Sequence, residues 1–376
     1  MKILIITFTG GLNPGTAMQA LGVQTGLHLI YPTAQIDFLS FRDFKKIEIL
    51  NMRIEKKIMV HTIIQKGYAF YRLQKYKKFR KKNFSYTKTV DLFNYAEEDI
   101  AFIKDYDLVA IGSDTILERG YSEKGRIGLN WMPLDVNKIY FAASASPANF
   151  EPKEDLKNVA SRAKFIGLRD DLTINFFIQK LGINESRLIK QPDPSFFLDI
   201  NKFKLSSSLA KKFKDGNKYA LYNFNSNFPL RKELAEGLRS VGYKVVTTSY
   251  NPFADICLDT IDAFEWAGVF PLIDIVVTER FHDSVFGLRN EKPVIAIDWD
   301  TNRFSASGDS KTLRILEDYG HSHLHFNLCM DTDLKPIIVA VENIDKLFNR
   351  KNVVIANQRN ENLVNQILLQ IKEILQ

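Results

Sequence analysis

The chain has 376 residues, of which 45% are hydrophobic and 25% charged, with a mean hydropathy of −0.16. This length is long for one hydrophobic core and predicts two domains of ordinary size. The composition is typical of a globular protein, and no apolar run is long enough to span a membrane, which argues against an integral membrane protein. The first residues carry one lysine and no cleavage-site pattern, so they predict a strand and not a signal peptide.

The net charge of +7 is concentrated in one segment. Residues 45–82 contain thirteen Lys or Arg against two Glu, a local charge of +11, which leaves −4 for the rest of the chain. Three interpretations stay open for this basic segment: a solvated helical face, contact with anionic lipid, or nucleic-acid binding. The pattern favours them in that order. We therefore expect a possible peripheral contact with an anionic membrane through 45–82, and no nucleic-acid partner.

Cys257 and Cys329 have no metal-type spacing, and a reduced, cytoplasmic protein accounts for them.

The chain begins with a strand, a turn, a helix and a second strand. This is a Rossmann-like opening, and its loop faces the ligand edge of the sheet. The loop lacks the GxGxxG fingerprint of dinucleotide sites. Its polar residues and backbone amides are candidates for a ligand loop, with a plain turn and helix cap equally open: Asn13, Gly15, Thr16 and Gln19.

Three further strands of the first half end in polar residues. Leu108–Ile111 leads into Ser113 and Asp114, and Ile139–Ala142 is followed by Ser144. Small polar residues at strand ends let a ligand approach the backbone, so these three residues are added to the ligand-loop candidates. Phe165–Leu168 runs into Arg169, which is either an anion ligand or the partner of Asp170 or Asp171 in a salt bridge. A polar linker is expected from about Asp199 to Lys218.

A second series of strands and helices follows the linker. The expected elements are strands at 219–222, 244–248, 273–277 and 294–297, and helices at 230–241, 263–270, 311–319 and 361–375. Two such series predict an α/β protein with two Rossmann-like, doubly wound domains facing a cleft. The expected domains are 1–200, which includes the basic segment, and 201–376.

The stretch Ile273–Asp298 carries the strongest functional pattern. A buried strand ends at a loop and a short helix, and a second strand follows, so Arg280 and His282 fall at the ligand edge. Asp283 and Ser284 are expected to cap the helix, which places Arg280 and His282 beside its positive N-terminus. This pattern predicts an anion site with a proton donor inside it. The alternative is that Arg280 pairs with Glu279 or a neighbouring carboxylate while His282 only packs.

His321, His323 and His325 alternate along the chain. On a strand they would share one face and form a possible metal site. The acidic and cysteine ligands expected of such a site are scarce nearby, so a surface passing from loop to strand is the favoured interpretation.

Taken together, these stretches resemble the polysaccharide pyruvyl transferase family over most of the chain. The similar stretches are NPGTAMQALGVQ, FRKKNFS, YDLVAIGSDTI, YFAASAS, IGLRDD, QPDPSFFL, TERFHDSVFGLRNEKPVIAID and SKTLRILEDYG. The RFH element followed by the KPVIAID strand is the most specific piece. The resemblance implies two Rossmann-type domains in a glycosyltransferase-B-like arrangement, with the acceptor side in 1–200 and the donor site in 201–376. It also implies transfer of the pyruvyl group of phosphoenolpyruvate to sugar hydroxyls as a ketal, in cell-surface or exopolysaccharide synthesis.

The implied chemistry gives each candidate a role. His282 is expected to be the general acid, and Arg169 and Arg280 to bind the anionic groups of phosphoenolpyruvate. No metal or organic cofactor is expected. Some members of the family have a lysine after the strand that follows RFH. Here Arg303 or Lys311 is expected to supply that charge.

The chain also departs from the family elsewhere. Residues 115–118 differ from the usual pattern, and Asp283 stands where glycine is common. The nearest alternative is a glycosyltransferase that uses a nucleotide sugar, and a further one is a basic lipid- or nucleic-acid-binding protein. The acceptor sugar is not predictable from this sequence.

Overall fold

The computed structural model describes residues 1–9, 12–41, 59–91, 95–114, 116–117, 132–133, 135–145, 154–214, 216–300, 310–329 and 331–375. The chain divides into two compact units. The first comprises Met1–Arg53, Lys77–Leu198 and Asn360–Gln376, and the second comprises Ile54–Tyr76 and Asp199–Arg359. The break at Leu198 falls next to residue 200, where the sequence places its boundary. Two segments are grouped differently from the expected ranges: part of the basic segment belongs to the second unit, and the C-terminal residues belong to the first.

The first unit is built on a parallel sheet with the strand order β3-β2-β1-β4-β5-β6-β7. Its strands are β1 Lys2–Ile6, β2 Gln35–Phe41, β3 Tyr86–Val90, β4 Leu108–Ile111, β5 Lys138–Ala143, β6 Phe165–Leu168 and β7 Leu188–Lys190. The described helices that contribute to it are α1 Pro14–Ile30, the end of α2 Met59–Asn83 from Lys77 onwards, α3 Glu97–Ile100, α4 Glu154–Ser161 and α5 Asp171–Gln179. The central strands are buried on both faces because helices cover the sheet, which explains their continuous apolar runs.

The second unit repeats this plan with the strand order β10-β9-β8-β11-β12-β13, again parallel. Its strands are β8 Lys218–Asn223, β9 Tyr243–Thr247, β10 Ile256–Cys257, β11 Ile275–Thr278, β12 Val294–Asp298 and β13 His325–Asn327. The remaining described helices are α6 Ser207–Ala210, α7 Arg231–Ser240, α8 Ala263–Ala267, α9 Phe281–Arg289, α10 Lys311–Asp318, α11 Lys335–Glu342, α12 Ile344–Leu347 and α13 Arg350–Leu375. Both sheets switch strand order beside their first strand, β1 or β8, so their ligand edges lie at equivalent places.

The predicted central strands are confirmed to within two residues at either end. The segment predicted as a polar linker packs on the second unit, because Phe203 stacks on Phe264 at 5.2 Å between ring centroids and Leu205 is buried. One expectation needs correction. The terminal helix begins at Arg350 and not at Glu361, since polar residues in its first turns hid the helical period from the sequence pattern.

The basic segment is described from Met59 onwards, where it forms the long helix α2; the prediction for residues 47–58 lies outside the described residues. Across the part of the chain that the structure describes, no helix is both long and apolar enough to cross a membrane.

Candidate active site

The ligand edge of the second sheet is formed where β11 ends at Thr278 and α9 begins at Phe281. The helix starts earlier than the sequence predicts, with Arg280 and not Asp283 or Ser284 as its N-cap. The reason is local: the Thr278 hydroxyl accepts the Arg280 N–H at 3.0 Å, and the Arg280 carbonyl accepts the Ser284 N–H at 3.2 Å. His282 therefore lies within the first turn of α9.

The N-cap residue of α9 is an arginine, which is unusual for a helix start. An arginine side chain has no oxygen with which to cap the first-turn amides, so the positive end of α9 carries an added cation. Glu279 is directed elsewhere and accepts hydrogen bonds from the Asn225 N–H at 2.8 Å and from the indole of Trp299. Within the described residues Arg280 forms no ion pair with Glu279, and the neighbouring carboxyl that it faces is that of Asp283.

Phe281 connects two of the predicted site residues. Its ring meets that of His282 edge to face at 5.4 Å between centroids, and the Lys311 Nζ lies 5.5 Å from its centre. His282 is 7% exposed, so the imidazole is withdrawn from bulk water while staying at the sheet edge. The structure thus places two cations and an imidazole around the start of one helix, an arrangement suited to an anionic substrate that must be protonated.

Lys311 is held in place by residues that the sequence interpretation did not select. It begins α10, whose N-cap Ser310 accepts the amides of Thr312 and Leu313 at 3.1 and 3.4 Å. Thr312 donates to the buried carboxylate of Asp298 at 3.0 Å, and His325 Nε2 contacts the same group at 2.8 Å. Asp298 ends β12, so its place at a carboxyl strand end was the signal available to find it.

Asp283, which stands where the family commonly has glycine, is buried in the first turn of α9. Burial raises the pKa of its carboxyl, while the Arg280 charge and hydrogen bonds from Asn223 and Thr278 act in the opposite direction. Asn223 ends β8 and is another residue that its strand-end position could have revealed.

The part of α2 up to Tyr76 belongs to the second unit and lies close to Arg280. Lys75 forms a salt bridge of 2.9 Å with Glu265 of α8. Tyr76 is buried beside Arg72, and burial raises the pKa of its phenol to about 12, with the Arg280 charge among the opposing influences. The predicted basic helix therefore packs near the predicted anion site.

The ligand edge of the first sheet is centred on Arg169, whose side chain is 2% exposed. Its guanidinium lies 3.7 Å from an Asp114 oxygen and 3.6 Å from an Asp193 oxygen. The alternative partners considered from sequence have other roles: Asp170 caps α5 and Asp171 pairs with Lys190. Arg169 is thus compensated by two carboxylates, which makes this edge much less positive than that of the second sheet.

Four predicted ligand-loop residues meet at the same edge. Thr16 donates to Asp114 at 3.3 Å, and Ser113 donates to Gln19, which in turn contacts the buried Thr7 at 3.4 Å. Asp114 has a left-handed backbone with φ of 65°, a conformation that aspartate tolerates and that recurs at functional sites.

The other loop candidates have structural contacts. Asn13 caps α1 by accepting the amides of Gly15 and Thr16 at 3.0 and 3.4 Å, so those amides already have an acceptor. Ser144 donates to Asp170 at 2.7 Å. The structure therefore gathers Thr16, Gln19, Ser113, Asp114, Ser144 and Arg169 in the first unit and Arg280, His282 and Lys311 in the second, while Arg303 lies outside the described residues.

The alternating histidines do not share one face of a strand, which is the arrangement that the metal-site alternative requires. His321 precedes a short 3-10 helix and is buried, with Nδ1 against the Tyr319 carbonyl at 2.7 Å. His323 contacts the Leu347 carbonyl, and His325 the Asp298 carboxylate. The rings of His321 and His323 lie 5.8 Å apart between centroids, whereas His325 begins the strand and turns to Asp298. No group suited to a metal occurs among the described residues.

Several solved structures share this fold. A Neisseria meningitidis UDP-GlcNAc 2-epimerase bound to UDP-GlcNAc matches with a TM-score of 0.59 and 9% identity, over 99% of each chain. A Listeria monocytogenes protein assigned as a UDP-N-acetylglucosamine 2-epimerase matches at 0.60 and 11%, over 99% of this chain and 95% of its own. The Methanocaldococcus jannaschii UDP-GlcNAc 2-epimerase matches at 0.54 and 12%, over 98% and 99%. These similarities confirm the predicted class of two Rossmann-like sheets of the glycosyltransferase-B-like type.

A search of curated proteins found no match. The family model described as polysaccharide pyruvyl transferase matches residues 13–301, a range that begins at the cap of α1 and includes both ligand edges. The chain therefore belongs to the polysaccharide pyruvyl transferase family.

Proposed function

We propose that this protein transfers the pyruvyl group of phosphoenolpyruvate to two hydroxyls of a sugar, forming a cyclic ketal during synthesis of a cell-surface or secreted polysaccharide. The observation that carries the proposal is the start of α9, where Arg280, His282 and Lys311 surround helix amides that Arg280 cannot cap. The donor has a carboxylate and a phosphate, and both kinds of anion suit this arrangement.

In the proposed reaction His282 protonates the methylene carbon of the bound donor, and C2 becomes electrophilic. One sugar hydroxyl attacks C2, and its proton returns to the imidazole. The C2–O bond to phosphate then breaks, inorganic phosphate leaves, and the second hydroxyl attacks to close the ketal. That second proton leaves with the phosphate or the solvent. Arg280 and Lys311 offset the growing negative charge on the departing phosphate. The scheme requires no metal or organic cofactor.

We assign the acceptor to the ligand edge of the first sheet. Arg169 is flanked there by Asp114 and Asp193, and Thr16 and Ser113 add hydroxyls. A neutral sugar is recognised through hydroxyl hydrogen bonds, which carboxylates and hydroxyls provide, whereas a second anion would meet an excess of negative charge. Arg169 stays a predicted donor ligand, and its two carboxylates make it the weakest of the described cations for that role.

Thermal unfolding with and without phosphoenolpyruvate tests the proposal. A ligand that binds only the folded state raises the melting temperature once its concentration exceeds the Kd. We expect a shift in the wild type and a much smaller one in Arg280→Ala, with Arg289→Ala, at the other end of the same helix, as the matched control. No shift with phosphoenolpyruvate together with a shift from a UDP-sugar would replace this proposal by the glycosyltransferase alternative.

We further propose that the enzyme is cytoplasmic and contacts the anionic inner face of the membrane through α2. Where the structure describes the side chains of this helix, from Gly67 and then from Phe70 onwards, the exposed residues recur at intervals of three and four and thus share one face: Gly67, Phe70, Tyr71, Gln74, Lys77, Lys78, Lys81 and Lys82. Phe70 is 57% and Tyr71 53% exposed. Aromatic rings followed by lysines suit the interface of an anionic bilayer, where each lysine contributes about 1 kcal/mol.

Sedimentation with lipid vesicles tests this contact. We expect binding to vesicles rich in phosphatidylserine, loss of binding at high salt, and no binding to neutral vesicles. Substituting Lys77, Lys78, Lys81 and Lys82 by Gln should abolish it. The same charge change at exposed lysines elsewhere (Lys211, Lys214, Lys346 and Lys351) is the control. Equal binding by both variants would contradict the assignment to α2.

A further inference from the structure

The hydrogen-bond network beneath the start of α9 contains one proton too few if Asp283 is ionised. The Asp283 carboxyl is buried, and its Oδ2 lies 2.9 Å from Asn223 Nδ2 and 3.0 Å from Thr278 Oγ1. The partners of these two groups determine which atoms carry hydrogens.

The orientation of Asn223 is set by the neighbouring strand. Its Oδ1 accepts the backbone N–H of Thr248 at 3.0 Å and lies 3.2 Å from the Thr248 hydroxyl. An amide oxygen at that position turns Nδ2 towards Asp283, so Asn223 is a donor to the carboxyl. This bond is satisfied whether Asp283 is ionised or neutral.

The contacts of Thr278 differ according to whether Asp283 is ionised or neutral. Its Oγ1 accepts the Arg280 N–H at 3.0 Å and has two other neighbours at 3.0 Å, the Asn223 backbone carbonyl and Asp283 Oδ2. A hydroxyl has one proton to donate, and a carbonyl oxygen has none. If Thr278 donates to the carbonyl, its contact with Asp283 requires a proton on the carboxyl. If it donates to an ionised Asp283, two oxygens face each other without a hydrogen.

With a proton on Asp283 the contacts of Asn223 and Thr278 are all satisfied, and the Trp266 indole N–H, which also faces the carboxyl, can donate to it in either state. Thr278 then donates once and accepts twice, the largest number of bonds a hydroxyl can form. Burial of the carboxyl favours the same state, and it outweighs the attraction of Arg280, which is the charged group that faces Asp283 at the start of α9. His282, on the same turn, is the nearest titratable neighbour in sequence, and Asn223, Thr248 and Thr278 on the strands beneath are uncharged.

We propose that Asp283 is a neutral acid at pH 7 and a positioning residue. Its carboxyl proton forms a hydrogen bond to the Thr278 hydroxyl and so holds the start of α9 against β11. A neutral side chain leaves the positive charge of Arg280 and of the helix amides available to an anion. It also explains how a carboxyl can replace the small residue common in the family without repelling the donor. The protonation state is independent of the proposed function, whereas the effect on donor binding rests on it.

The protonation state can be measured by carbon NMR of protein labelled with 13C at the aspartate carboxyl. We expect one resonance that has the protonated shift at pH 7, moves only at alkaline pH and is missing in Asp283→Asn. The exposed Asp331→Asn is the control and should retain it. Thr278→Val provides a second assignment, because loss of the hydroxyl should shift the same resonance. Titration of the Asp283 resonance in the ordinary acidic range would overturn the proposal.

The positioning role is tested by the pH dependence of phosphoenolpyruvate binding in the full-length protein. Wild-type affinity should fall roughly tenfold or more as Asp283 ionises, because a negative charge then faces an anionic ligand. Asp283→Asn remains neutral and keeps an N–H for Thr278, so it should retain affinity at alkaline pH, whereas Asp283→Leu should weaken binding at every pH. The same alkaline loss in Asp283→Asn would refute the positioning role. Absence of phosphoenolpyruvate binding in every form, with the NMR result as expected, would remove the proposed donor and leave the protonation intact.

Discussion

The two ligand edges have the same topology and opposite electrostatics. In the first sheet the helix after the opening strand begins with Asn13, whose side chain caps it, and Arg169 is offset by Asp114 and Asp193. In the second sheet α9 begins with Arg280, which cannot cap, and Lys311 lies nearby. The helix cap residue and the nearby carboxylates thus determine whether the ligand edge of a Rossmann-like sheet can bind an anion. The fold alone does not determine this.

The largest expected effect is that of His282→Ala, which tests whether the second edge performs the chemistry. Loss of a general acid should lower kcat by about 10²–10⁴-fold while donor affinity changes little. Release of phosphate in the presence of acceptor measures turnover. His323→Ala, whose ring contacts only a backbone carbonyl among the described hydrogen bonds, is the control and should keep its activity. Full activity in His282→Ala would exclude the imidazole as the acid.

Arg169→Ala probes the first edge, where we expect a loss of stability. Removing the cation leaves Asp114 and Asp193 close together with their shared partner gone, and should lower the free energy of unfolding by about 3 kcal/mol. Urea unfolding measures this loss, and a second substitution, Asp193→Asn, should restore part of it. A variant of wild-type stability would show that the three charges are not coupled.

Arg280→Ala should affect donor binding much more than stability, the reverse of what we expect for Arg169→Ala. The side chain is partly exposed, so unfolding should change little, while the Kd for phosphoenolpyruvate should rise roughly 30-fold, equivalent to about 2 kcal/mol. Calorimetry compares this variant with Arg169→Ala and with Arg289→Ala. If Arg169→Ala weakens donor binding more than Arg280→Ala does, the proposed division between the two edges is wrong.

The smallest effect concerns acid stability and lies outside both edges. His321 donates to the Tyr319 carbonyl and accepts the Asn349 N–H at 2.9 Å, and burial lowers the pKa of its imidazole. The stabilisation is therefore present above the unfolded pKa of about 6.5 and is lost as the pH falls below it. Melting temperatures between pH 7.5 and 5 should fall less steeply in His321→Gln than in the wild type, and parallel curves would contradict this.

Much of the fold was predictable because the buried parallel strands are continuous apolar runs, and their ends fixed the places of Arg169, Ser113 and Arg280. Short strands such as Leu188–Lys190 and His325–Asn327 were missed, since three residues carry no recognisable period. The early start of α9 was also missed, because it depends on the Thr278 hydroxyl and not on a capping residue.

The partners of the charged residues were not predictable. Asp114 and Asp193 are 55 and 24 residues from Arg169 in the chain, and the sequence offered only its neighbours Asp170 and Asp171. Asp298 and Asn223 were overlooked because each matters through a contact with a distant hydroxyl or imidazole. Position at a strand end was enough to predict where the site lies. The role of each side chain there depends on tertiary contacts, which the sequence does not show.

Trp299 gives the second edge an optical signal. Its indole donates to Glu279, the residue before Arg280, and its ring packs on Phe228 at 5.4 Å. An anion at Arg280 changes the electric field at this half-buried indole, to which its fluorescence is sensitive. Trp266 lies fully buried against Phe286 and faces the Asp283 carboxyl, so it contributes an emission of its own, as does Trp131. Intrinsic emission, compared between the wild type and Trp299→Phe, can therefore follow occupancy of this edge in real time without an attached dye.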